Sequence, residues 1–361
     1  MGTELVLNIE GLFAPIDEAS PCGSDPRSDP SPISSYQTLK DARHAAADAE
    51  RNIERGFSEA SDAKNAEDTL KRSWELIVKQ SPSLLADVGK DIEVGAWLIE
   101  ALLRTHRLGG LRDGLALMNG LIERYWDGLF PLPDEDGLET RLIPLASLSG
   151  TEAEGRLIAP LKRVPLTEGN DDSPAFSFWQ YENALSGAAD GSATIAAFTA
   201  SLQRSSQEFV RDLADDAQAC LTALTQLDSA LETRCGTEAP SFSRVHGVLG
   251  GMLDAIRGHA ALSLLVVDPS TPAEPETSSA APAEPARGGS MDRQAAFRQL
   301  EELAAFFRRT EPHSPIAYAI DNLVRRGRMT FSELAEELID DDNARRSYFV
   351  NAGIQPPPEG S

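Results

Sequence analysis

Cysteine is scarce in this chain of 361 residues: Cys22, Cys220 and Cys235 stand far apart, with no CxxC pair. An odd number at such spacings makes neither a disulfide framework nor a zinc site, and it fits a reducing compartment. Positive charge is the second shortage. Lys and Arg number 33 against 57 Asp and Glu, a net charge of -24, which repels phosphate backbones and anionic headgroups over most of the surface. Neither nucleic acid nor a lipid surface is expected as a partner. Long apolar runs are also missing: the longest, Ala260 to Val267 with one serine inside, is too short to cross a bilayer. The N-terminus has neither a basic n-region nor an apolar h-region, so no secretory signal and no membrane insertion are expected, and the location is read as cytoplasmic. No phosphate-cradling loop, nucleophile motif or metal-ligand spacing occurs, so no cofactor, metal or catalytic set is expected.

Apolar residues recur at three and four rather than at two, which predicts an all-α, multi-domain protein. Trp74, Ile77 and Val78 mark one core stripe; Ile92, Ala96, Ile99 and Leu103 a second; Leu111, Leu115, Met118, Ile122 and Tyr125 a third. Gly109 to Leu115 reads as a close turn into the last of these helices. The acidic proline turn Phe130-Pro-Leu-Pro-Asp-Glu-Asp-Gly137 follows, inside a first module over residues 1–150. Asp134 and Asp136 before Gly137 look like the start of a calcium loop, but the remaining ligands are lacking. A middle helical domain over 151–267 is predicted to hold helices from about Ile195 to Phe209, Val210 to Leu231 and Phe242 to Val267. Gly250-Gly251 inside the last implies a close helix crossing or a break.

Residues 268–290 hold many Pro, Ala, Ser and Glu and no large apolar side chain, so they read as an extended, semi-rigid linker. Beyond it, residues 291–361 read as a small helical bundle with nine arginines, no lysine and twelve acids. All but three of the net negative charges therefore belong to the first 290 residues. Phe297, Leu300, Leu303, Ala304 and Phe307 form one stripe there, and Ile316, Ile320, Leu323 and Val324 another, with Gly327 as the expected helix stop. Thr330 and Glu333 make a capping box for a third helix, with Met329 and Leu334 as its hydrophobic staple. Between the first two helices lies Glu311-Pro-His-Ser-Pro315, where Pro312 ends one helix and Ser314-Pro315 start the next. His313 beside Glu311 has the chemistry of a general base, yet no nucleophile accompanies it, so a turn or contact role is preferred. A bundle of this length has a marginal core. Phe306, Phe307, Tyr348 and Phe349 are therefore expected to meet another copy, with Glu311, His313, Arg325 and Arg326 at the contact. The rival reading for Arg308, Arg309, Arg325, Arg326 and Arg328 is a solvated helix face.

Several short pieces occur in a telling order. They are Pro21-Cys22-Gly23-Ser24-Asp25, Leu39-Lys-Asp-Ala-Arg43, Ala49-Glu-Arg51, Trp74, Lys90-Asp91-Ile92, Gly109-Gly-Leu111 with Gly114-Leu115, and Tyr125-Trp126-Asp127 with Pro131 and Arg141. In this order the stretch resembles the ImpA-type N-terminal domain of TssA proteins, assembly coordinators of bacterial type VI secretion. Ala305-Phe-Phe-Arg-Arg-Thr-Glu-Pro-His-Ser-Pro315, with Arg326-Gly-Arg-Met329 and Leu334, is similar to the shorter-tailed class of that family. The resemblance implies a non-enzymatic scaffold associated with the secretion apparatus of a Gram-negative bacterium. Such a scaffold forms a homo-oligomeric ring through its C-terminal domain and touches baseplate, sheath and inner-tube proteins. Trp74, Asp91, Tyr125 and Trp126 are the expected anchors of the N-terminal domain, Lys90-Asp91 as a helix cap or a partner contact and Tyr125-Trp126 as an apolar anchor at the proline turn. Two other functions remain in play: an acidic cytoplasmic adaptor for a basic protein, and a hydrolase using His313.

Overall fold

Polar side chains set helix starts in the first two thirds of the chain. Asn8, Ser34, Asp91 and Ser206 each accept a hydrogen bond from the backbone N–H three residues on, and Ser177 forms a full capping box with Gln180. A computed structural model of the chain describes residues 2–57, 60–135, 137–150, 155–170, 174–186, 191–263, 293–310, 316–329 and 337. It divides into two compact units, Met1–Thr271 and Pro272–Ser361. Regular structure among the described residues is helical, with isolated bridges as its β features. The first unit holds α1 (Ile9–Leu12), α2 (Ser35–Arg55), α3 (Ala60–Asp87), α4 (Ile92–Tyr125), α5 (Glu139–Ser149), α6 (Ile158–Lys162), α7 (Phe178–Leu185), α8 (Gly191–Arg204), α9 (Gln207–Cys235) and α10 (Ser243–Ser263).

The centre of this unit is α4, and it is a hairpin rather than a rod. Arg107, at φ 54 and ψ -138, breaks it into two helical arms. A side-chain carbon on Gly95 would lie 2.8 Å from Met118, on Gly114 2.9 Å from Ile99, and on Gly110 2.4 Å from the Leu102 carbonyl oxygen. Positions on one arm rise as those on the other fall, so the arms run antiparallel, and their glycines let the backbones touch. The two stripes expected at Ile92–Leu103 and Leu111–Tyr125 are these arms. With α3 packed on one side and α9 on the other, α4 is apolar on nearly every face, as a helix enclosed by others must be.

One contiguous apolar core runs from Leu7 to Ile256. Packing therefore shows no break at residue 150, where the sequence suggested a module boundary. The α8–α9 junction falls at Ser205-Ser206 instead of Phe209-Val210, because the Ser206 hydroxyl takes the Phe209 N–H at 3.2 Å. For Gly250-Gly251 the crossing explanation prevails. α10 runs on through both, and a side chain on Gly251 would meet the Phe178 ring at 2.8 Å, whereas Gly250 faces open space.

The second unit contributes α11 (Arg293–Thr310) and α12 (Ile316–Arg328), which pack on each other. Ala304, Ala317 and Val324 are buried between them, while Leu303 and Leu323, expected in the stripes, are exposed. Gly327 is not a stop: it lies inside α12, and a side chain there would meet the Phe297 ring at 2.7 Å. The junction Glu311–Pro315, including His313, the capping box at Thr330 and Glu333, Leu334, and Tyr348-Phe349 all lie outside the described residues, as does Asp136.

These glycines make opposite predictions. Gly250→Ala adds helix propensity in open space and should raise unfolding stability by about 0.5–1 kcal/mol. Gly110→Ala forces a methyl onto a backbone carbonyl and should lower it by about 1–3 kcal/mol, both read by urea denaturation.

Candidate functional site

The motif residues of the N-terminal half converge at one end of the helix bundle. Ser24 N–H donates to the Val88 carbonyl, Lys90 N–H to Cys22, Phe130 N–H to Lys90, and Ile92 N–H to Phe130, all at 2.8–2.9 Å. These bonds sew three separate loops together. Lys90, with no exposed surface, donates from Nζ to the carbonyls of Leu12 and Leu85 at 2.9 Å each and sits 5.6 Å from the centre of the Tyr125 ring. Arg141, 1% exposed, sends three N–H groups to the carbonyls of Pro131 (2.8 Å), Trp126 (2.9 Å) and Leu129 (2.7 Å), with its guanidinium 4.9 Å from the Trp126 ring centre. Burial pushes the pKa of both cations down. The Tyr125 hydroxyl donates to the Phe13 carbonyl at 2.7 Å.

Asp91 caps α4 as the sequence suggested, taking the Val94 N–H at 2.9 Å. It also has a partner that no local pattern revealed. Arg27 donates to Asp91 at 2.6 Å and to Glu93 at 2.7 Å, and lies 4.8 Å from the Tyr36 ring, whose hydroxyl donates to Glu93 at 2.7 Å. Burial raises the Asp91 carboxyl, while the Arg27 guanidinium and the Val94 amide pull it down. Trp74 is the floor of a second cluster: Arg104 lies 4.6 Å from its ring centre and pairs with Glu50 at 2.6 Å. The buried Glu100 carboxylate beside it is shared by Arg43 and Arg156. Of the expected anchors, Asp91, Tyr125 and Trp126 thus come together, and Trp74 stands apart from them. What the arrangement does chemically is hold irregular backbone in a buried place. Among the described residues no group of three His, Cys, Asp or Glu side chains is placed to hold a metal ion.

In the second unit, Phe306 and Phe307 meet edge to face at 5.6 Å, with Phe306 47% exposed. Arg325 and Arg326, read as contact residues, both bind Glu337 of the same chain, at 2.6 and 2.8 Å. Arg308 pairs with Asp321, and Arg328 with Glu301. Glu311, His313, Tyr348 and Phe349 are not among the described residues.

Comparison with known proteins matches this geometry. Residues 13–150 fit the family described as ImpA, N-terminal, type VI secretion system. The type VI secretion system component TssA1 of Pseudomonas aeruginosa is 28% identical over 284 residues, covering 73% of this chain and 80% of that protein. A solved N-terminal domain of the TssA component from Burkholderia cenocepacia, including its ImpA_N region, superimposes with a TM-score of 0.55 at 27% identity. It covers 72% of this chain and 96% of that one, so the likeness runs well past residue 150 and into the shared core. The described residues form an all-α fold, and residues 13–150 within it are an ImpA-type N-terminal region. Over most of its length the chain is similar to TssA-type components of the type VI secretion system, which supports a protein of that type.

Two tests address these ion pairs. Arg27→Met strands the buried Asp91 and should cost about 3 kcal/mol in urea unfolding, whereas Asp91→Asn keeps the cap and leaves Arg27 its other partners, costing about 1 kcal/mol. Arg325 and Arg326 pull the Glu337 carboxyl down from its ordinary 4.5 to about 2. A depressed acid stabilises fully above its unfolded value and loses that contribution as pH falls through the folded one. Amide exchange in α12 should therefore be faster in Glu337→Gln than in the unsubstituted chain above pH 4.5, with the difference vanishing as pH falls through about 2.

Proposed function

We propose that this chain is a non-enzymatic assembly scaffold that self-associates through residues 291–361 into a ring. From the ring it presents the first unit to baseplate, sheath and inner-tube proteins in the cytoplasm. The observation that carries this reading is the surface of α11. Leu303 and Phe306, one turn apart on α11, are both about half exposed among the described residues, an apolar pair that packing against another copy would take out of water. The name of the Pseudomonas aeruginosa relative, a component of the type VI secretion system, supports the setting. A ring also turns weak contacts into avid ones, since each partner subunit meets several copies at high effective concentration. The shorter-tailed class rests on the 305–334 resemblance alone.

The net charge of -24 favours a second reading, an acidic adaptor for a basic partner, whose binding would fall steeply with salt. Light scattering separates the two. The full chain should run as a large oligomer and a chain ending at residue 290 as a monomer, and Leu303→Glu with Phe306→Glu should give monomers of unchanged helicity. A monomeric full-length chain refutes the scaffold.

A further inference from the structure

Residues 2–7 lie against the second arm of α4 and against α9, and three charged side chains hold them there. Asp216 accepts the Thr3 N–H at 3.2 Å and the Thr3 hydroxyl at 2.7 Å, and Asp113 accepts the N–H groups of Val6 and Leu7 at 2.6 and 3.2 Å. Arg112 donates to the Thr3 and Glu4 carbonyls at 2.9 and 3.2 Å. Five main-chain groups are thus read and only one side-chain group, which is how proteins recognise an extended peptide.

The two halves of this contact differ in how firmly they are built. Asp113 and Asp216 are 1% and 2% exposed, stand on helices, and are locked by Arg112 at 2.9 and 2.5 Å. The segment they hold is peripheral: Thr3, Glu4 and Leu5 are exposed, Leu5 by 70%, and within it Leu7 alone is buried. Little apolar area keeps this strap in place, so it opens at a lower free energy than the helices beneath it. The groove is preformed and its resident is loosely held.

The resident also shows what the groove accepts. A Cβ on Gly2 would strike the Asp216 carboxylate, so the first position takes glycine. The second needs the hydroxyl of Thr or Ser for Asp216. The next two point to water and are free, while Val6 packs on the core and Leu7 enters it. A cleft of about 360 Å³ adjoins Thr3 and Asp216 and is lined also by Phe209 and Asp212, further surface for a segment longer than the strap.

We propose that this groove is a peptide-binding site, filled here by residues 2–7, which an extended segment of another protein chain reading Gly-(Thr or Ser)-x-x-aliphatic-Leu enters by displacing them. The strap competes from within the chain at a high effective concentration, so entry becomes easier as the strap is weakened. The site is independent of self-association through residues 291–361.

Fluorescence anisotropy of the full chain with the labelled peptide Gly-Thr-Glu-Leu-Val-Leu tests this. Gly2→Ala with Thr3→Val loosens the strap and leaves the groove as it is. The peptide should bind that chain saturably and about tenfold more tightly than the unsubstituted chain, at equal helicity. A peptide with Val in place of Thr should bind the substituted chain about tenfold more weakly, the worth of one hydrogen bond to a charged group. In the unsubstituted chain the Val6 and Leu7 amides should exchange by local opening, at rates that low urea leaves unchanged. No saturable binding to the substituted chain, equal affinity for the Thr and Val peptides, or loss of helicity on substitution overturns the proposal. So do Val6 and Leu7 amides that exchange only on global unfolding, which would make the strap a fixed part of the fold.

Discussion

Two buried cations without carboxylate partners, Lys90 and Arg141, dictate the shape of one end of the bundle. Taking an ammonium or guanidinium out of water is costly unless its N–H groups are matched. Here the match comes from five backbone carbonyls and two aromatic faces. The carbonyls belong to Leu12, Leu85, Trp126, Leu129 and Pro131, so segments far apart in sequence must each turn an oxygen inward. Loops are usually driven to the surface by their own unpaired polar groups. In this protein the cations satisfy those groups, and irregular backbone is buried instead. Tyr125 and Trp126 serve as walls for the two cations as much as apolar wedges.

The same logic operates along the α4 hairpin, whose arms are enclosed by other helices and still carry acids. Asp113 accepts the N–H groups of Val6 and Leu7, and Asp216 of α9 takes the Thr3 hydroxyl at 2.7 Å and Arg112 at 2.5 Å. A side chain on Gly109 would fall 2.2 Å from the Thr3 hydroxyl. The segment before α1 is thus tied between hairpin and α9 by charges that apolar packing could not orient. Glu100, reached by Arg43 from α2, fixes the other flank. Replacing any of these three acids by an apolar residue would leave neighbouring donors buried and unmatched, which costs more than the hydrogen bonds themselves contribute.

Helix type and core stripes were legible because a period of three to four survives whatever the helix packs against. The two arms of α4 were visible for that reason, whereas Gly109 to Leu115, read as a close turn, lies within the second arm. The reversal at Arg107 was invisible: arginine is an ordinary helix former, and nothing in its type announces a positive φ. Gly327 was misread since a glycine near a helix end carries the same signature whether it stops the helix or admits Phe297. The α8–α9 boundary was drawn too late because Ser206 caps within a continuous apolar pattern. Asp91 was readable as a cap from its place before α4, yet its ion pair with Arg27 was not, since an arginine in a loop has no period. The same-chain partner of Arg325 and Arg326, Glu337, was not legible because it lies more than three turns of sequence away.

The pairing of cations has a consequence for the exterior. In the first unit Arg27, Arg43, Arg104 and Arg112 are turned towards acids, and Arg141 is fully enclosed. Basic side chains already in the minority are drawn inward, and the surface keeps the acids that have no internal partner. Copies of such a unit repel one another at separations up to a Debye length, about 8 Å at physiological salt. In the proposed scaffold, contact between copies would come from short-range apolar burial, which the exposed Leu303 and Phe306 can supply. A surface of that charge opposes association through the first unit.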